Sequence, residues 1–156
     1  MGYLDNAGLY VKIGPETATP KTAGEYKTYG ELREIEVVLN LASYAFGATN
    51  YIVDDTTFFP TGVRIQEVET YTDTATTGAT ATFDLGLMRT DRTTVTSATA
   101  FLTAVASGVA AGNKVVTTTG GLIGTNTASV NHITVRVNTA NFTAGVVRIR
   151  IRYYRP

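Results

Sequence analysis

Val146-Val147-Arg148-Ile149-Arg150-Ile151-Arg152-Tyr153-Tyr154 decides the fold. Val147, Ile149, Ile151 and Tyr153 share one parity, and Val146, Arg148, Arg150, Arg152 and Tyr154 share the other. A period of two means one apolar and one polar face, hence a half-buried strand paired until almost the end of the chain. The same alternation recurs upstream. Ile133, Val135 and Val137 oppose Thr134, Arg136 and Asn138, and Ala81, Phe83, Leu85 and Leu87 oppose Thr82, Asp84 and Gly86. In Glu34–Leu41 the apolar parity is Ile35, Val37, Leu39 and Leu41.

Between these lie weaker pieces. Tyr51-Ile52-Val53 and Lys114-Val115-Val116 read as short strands, and Asp54-Asp55-Thr56-Thr57 as a turn. Val63–Tyr71 alternates, but neither face is cleanly apolar, which predicts an edge position or a bulge near Glu67. Residues 97–106 are the only helix candidate: Phe101, Leu102 and Val105 fall at helical spacing, with Ser97 as cap and Gly108 as stop.

Composition agrees. The 156 residues hold 29 Thr, 16 Val and 8 Ile, side chains that suit pleated surfaces and crowd helices. The fold class expected is all-β: a two-layer antiparallel, jelly-roll-like β-sandwich over residues 31–156 with one short helix. Residues 1–30 read as an irregular N-terminal arm or loop region with a possible short strand at 9–13, and Tyr26 and Tyr29 as its anchors. No apolar run reaches membrane-spanning length, and Met1–Asp5 does not read as a secretion signal.

The formal net charge is zero, yet residues 1–78 carry a balance of −6 and residues 79–156 one of +6. Arg148, Arg150 and Arg152, with Arg136 and Arg155 counted as neighbours, form the one basic stripe. Three readings compete for it: a solvated face, pairing within or between subunits, or binding of nucleic acid or another anionic surface. A ladder with Glu34 and Glu36, also two apart, is preferred because guanidinium forks onto carboxylate. A duplex-binding protein ordinarily has a basic total, which is missing here.

Little points to chemistry. Without cysteine there is neither a disulfide nor a thiolate site. His132 is the single histidine and reads as a surface or strand-edge residue, since no serine sits in a nucleophile-elbow context. Glu67/Glu69 and Asp54/Asp55 lack a glycosidase signature, and Gly120–Gly124 lacks the lysine of a phosphate loop. No catalytic residue, metal or cofactor is expected. An alternative is a carbohydrate-binding module of a tail fibre or adhesin, with Tyr71 near Asp73 or Tyr44 near Asn50 as its platform.

Three stretches resemble small virion proteins of tailed bacteriophages: Gly24–Leu41 running into Asp54-Asp55, Phe59–Val68 followed by Ala81–Leu87, and Ala140–Ile151 ending at Tyr153. The resemblance implies a non-enzymatic capsid decoration (cement) protein, assembled in the host cytoplasm onto the capsid exterior. Self-association, often as a homotrimer, and contact with the major capsid protein or another virion protein follow from it; direct nucleic-acid contact and membrane contact do not. The interface residues expected are Tyr26, Tyr29, Glu34, Glu36, Arg148, Arg150 and Arg152.

Overall fold

The computed structural model describes residues 32–47 and 49–156, with the backbone of two short antiparallel strands, β1 (Gly2–Leu4) and β2 (Tyr10–Lys12). Most of the expected arm, Tyr26 and Tyr29 included, lies outside the described residues.

The alternating segments form the strands expected of them: β3 (Arg33–Asn40), β6 (Arg64–Thr77), β7 (Thr82–Arg89), β10 (Asn131–Asn138) and β11 (Ala144–Tyr154). Shorter pieces are β4 (Tyr51–Ile52), β5 (Phe58–Phe59) and β9 (Lys114–Thr117). One sheet runs β3-β11-β6-β9; the other runs β4-β10-β7 and on to β8 (Val95–Ala106), with β5 also on β10. All pairings are antiparallel, and the chain passes repeatedly from one sheet to the other. This is the two-sheet, jelly-roll-like sandwich expected. Its core is the apolar parity of each strand, with Leu39, Ile149 and Ile151 of one sheet facing Phe83, Leu85 and Val135 of the other.

The expected helix is absent. Residues 97–106 belong to strand β8, and the nearest helical element is the single turn Leu41–Ser43. Two irregularities produced the misleading spacing. Leu85 pairs with Leu102 and Leu87 with Ser97, so β8 spends five residues where β7 spends two. That bulge leaves Ala100, Phe101 and Leu102 all buried in succession, which breaks the period of two. A second extra residue falls between Leu102 and Val105, where Ala104 has φ +48° and donates its N–H to Asp84 Oδ1 at 2.7 Å.

The bulge is possible because of two glycines. A Cβ on Gly86 would stand 2.3 Å from Ser97 O, and one on Gly120 would stand 2.3 Å from Phe101 O. The Gly120-Gly121 pair therefore serves close backbone approach, with Gly121 N–H donating to Thr99 O and Leu122 N–H to Ala100 O, both at 3.0 Å.

In β6 the expected bulge exists. Arg152 pairs with Glu67 and Tyr153 with Ile65, leaving Gln66 over, so Ile65 and Val68 both face the core although three residues apart. The alternative, an edge position, does not hold. β6 lies between β11 and β9, and its outer side is bonded onward by residues 108–113 and 124–127.

Candidate interface: the ionic face of the four-stranded sheet

The polar parity of β11 points away from the core, and register fixes its neighbours. Glu36, Arg150, Glu69 and Val116 form one row across β3, β11, β6 and β9. Val38, Arg148, Tyr71 and Lys114 form the next, and Glu34, Arg152 and Glu67 a third. The arginine stripe thus lies between two acidic stripes.

Contacts follow the register. Arg150 Nε donates to Glu36 Oε2 at 2.9 Å and Arg152 Nε to Glu34 Oε2 at 3.0 Å. Arg152 Nη1 also donates to Glu67 Oε1 at 2.5 Å, and Arg148 Nη2 to Asp73 Oδ2 at 3.2 Å. Glu69 is the hub. Its side chain is 5% exposed and meets Lys114 Nζ at 2.9 Å, Arg152 Nη2 at 3.4 Å and Arg150 Nη1 at 3.5 Å. The hydrogen bond from Lys114 lowers the Glu69 pKa most; desolvation opposes it, and the charges of Lys114, Arg152 and Arg150 add to the lowering. Arg150 and Arg152 shift upward, led by their bonds to Glu36 and Glu67.

The ladder between Glu34/Glu36 and Arg148–Arg152 therefore forms inside one chain. Sequence reasoning missed four participants: Glu67, Glu69, Asp73 and Lys114. The shared parity of Glu67, Glu69 and Tyr71 was a usable signal, but the partner strand of β6 could not be read from it. With carboxylates on both flanks, the stripe offers no basic footprint to a polyanion. Glu67 and Glu69 are both held by cations on the ionic face, Glu67 by Arg152 and Glu69 by Arg152, Arg150 and Lys114.

Other candidates lie elsewhere. Arg136 is in the opposite sheet, donating to Asp84 Oδ2 from Nη2 at 2.6 Å beside Asn138, and not in the basic stripe with which it was grouped: parity tells the face of a strand but not its sheet. His132 is neither at the surface nor at a sheet edge. It is 2% exposed in β10 between Phe58 and Met88, 4.8 Å from the Phe58 ring. Its Nδ1 has no hydrogen-bond partner among the described residues, so no described carboxylate holds the ring through that nitrogen. Tyr44 packs on Tyr51 at 5.6 Å, and burial raises its phenol pKa. Tyr71 is exposed, but Asp73 beside it is engaged by Arg148. Among the described residues no group of three or more His, Asp or Glu is placed to hold a metal ion.

Asp84 carries a testable consequence. Burial raises its pKa, but the hydrogen bonds from Ala104 N–H, Arg136 and Asn138 and the Arg136 charge outweigh it, leaving a net shift below the ordinary 3.8. A depressed carboxyl contributes stability that is present above 3.8 and lost as pH falls through the lower folded value. Asp84→Asn should therefore lower Tm at pH 7, and the gap to the unmodified protein should shrink as pH falls below 3.8. Thermal melts across pH 7 to about 2.5 would read this; a gap constant with pH would contradict it.

No family model matches the chain, and no curated protein matches it significantly. Solved structures do. A chain of the capsid asymmetric unit of cyanophage Pam1 matches at TM-score 0.53 and 22% identity, over 92% of this chain and all of that one. A chain of the capsid of Ralstonia phage GP4 matches at TM-score 0.57 and 18% identity, over 88% of this chain and 92% of that one. A chain of the acidic stable capsid of Helicobacter pylori bacteriophage KHP30 matches at TM-score 0.51 and 11% identity, over 81% and 90%. At these identities the likeness is one of fold: the same two-sheet sandwich occurs as a chain in three phage capsids.

Proposed function

We propose that this chain is a non-enzymatic structural component of a bacteriophage capsid, a decoration protein that stabilises the shell from outside as a homotrimer. The supporting observation is the extent of the fold match. It takes in all of the Pam1 chain and nine-tenths or more of the other two, so each is a small subunit of this chain's own size. A chain of that size, with no poised reactive group among the described residues of its ionic face, suits reinforcement of a shell by surface contact.

The site chemistry is compatible. A reinforcing subunit needs ordered area, and the described carboxylates of the ionic face are held by cations where a reaction would need one poised. The interface residues proposed remain Tyr26, Tyr29, Glu34, Glu36, Arg148, Arg150 and Arg152. Contact with a major capsid protein, and the capsid exterior as the place of that contact, belong to the same reading. A reconstruction of an intact particle containing this chain tests it. Threefold density of this sandwich on the outer shell is expected; density confined to the tail, or none in the virion, would overturn the assignment.

A further inference from the structure

The four-stranded sheet ends on β3 at one side and β9 at the other, and no described strand pairs with either outer edge. Open edges are templates for another strand, and soluble proteins usually blunt them with charge, proline or a bulge. β9 is hardly blunted: Lys114 is its one charge, and Val115 and Val116 are 46% and 48% exposed on opposite faces. β3 is different, with Glu34 and Glu36 on its outer face beside Val38, which is 53% exposed.

Resting on the self-association reading above, we propose that the β9 edge of one copy pairs with the β3 edge of the next, continuing the sheet head to tail around the oligomer. Three observations carry this. The first is direction. All pairings in a sheet of four strands are antiparallel, so β3 and β9 run opposite ways. Two copies in the same orientation therefore meet antiparallel, with no inversion needed. The second is charge: Lys114, with its side chain 56% exposed, arrives at the acidic stripe of Glu34 and Glu36. Antiparallel pairing of β9 with a second β9 would instead bring the two lysines to one short interface.

The third is shape. Beside β3 lies a recess of about 210 Å³ lined by Val37, Val38, Val53 and Ile133 with Glu36, Asp54 and Thr57. The register that sets Lys114 opposite Glu36 places Val115 opposite Ile35, on the inward parity that Ile35 shares with Val37, at that recess. A head-to-tail contact closes into a ring when its rotation divides a full turn, which a homotrimer requires.

The cysteine-free chain makes the test direct. Within one copy, positions 36 and 114 are separated by three strand spacings, about 14 Å, and a disulfide reaches about 7 Å between Cα atoms. The double variant Glu36→Cys/Lys114→Cys can therefore cross-link only between copies. Mild oxidation should give covalent species up to the closed ring and none larger on non-reducing gels. Val115→Glu, at an exposed position of the single chain, should keep the unmodified circular dichroism while weakening association at least about tenfold by sedimentation. Cross-links from Lys114→Cys alone, an unbounded ladder, a monomeric unmodified protein, or undisturbed association of Val115→Glu would each overturn the pairing. Purified protein supplies these readouts, so a decorated shell without the 36–114 cross-link defeats the pairing and spares the capsid assignment. Covalent rings from a protein that the virion lacks do the reverse.

Discussion

Phe59→Ala should destabilise the fold by about 3–5 kcal/mol, on the order of 10 °C in Tm. Phe59 is fully buried and sits where the sheets meet, its ring 5.2 Å from Phe101 of β8 and 5.2 Å from Tyr153 of β11, edge-on to both. Truncation removes apolar area and two aromatic pairs, and the space left is walled by backbone-anchored strands with little freedom to collapse. Phe59→Leu keeps most of the volume and should cost about 1–2 kcal/mol. Urea unfolding of both variants reads the difference. Equal losses for Leu and Ala would mean that the cavity is not what matters.

The position of Phe59 also shows what was legible beforehand. Pro60 and Gly62 marked the end of its segment, but nothing in two adjacent phenylalanines says which one is buried. Pairing answers that: Phe58 opposite His132 turns outward and Phe59 opposite Asn131 turns in. Where a strand is regular, as in β11 and β3, alternation gave element, face and ladder partners, because a period of two survives intact from sequence to sheet. Where a strand bulges, the period is lost, and the apolar residues of β8 fall at helical spacing for that reason. The ionic face was half legible. Glu34, Glu36 and the arginines announced themselves by spacing; Lys114 and Asp73 joined them through pairings between distant segments, which no local pattern encodes. Arg136 was misplaced on the same ground. Residues 97–106 and Arg136 thus mark the two limits of local reading, irregular register and sheet membership.

Gly86→Ala is expected to be the most damaging change of a single methyl in the described sandwich, at about 3 kcal/mol, the upper part of the overpacking range. Propensity alone argues the other way, since glycine inside a strand is weaker than alanine by about 0.5–1 kcal/mol. Contact geometry decides the sign. The new Cβ would lie 2.3 Å from Ser97 O and 2.5 Å from both Ala98 C and Ala98 O, all main-chain atoms that no side-chain rotation can move aside. Relief requires the β8 bulge to lift from β7, and the same bulge buries Phe101 against Phe59 and accepts the Gly121 and Leu122 amides. Damage at Gly86 should therefore spread to the 118–126 connection and appear as faster amide exchange at Gly121 and Leu122 as well as a lower unfolding midpoint. Because the clash is with backbone, Ala98→Gly should not rescue it. A Gly86→Ala protein as stable as the parent, or one restored by Ala98→Gly, would show that β8 yields where the geometry says it is held.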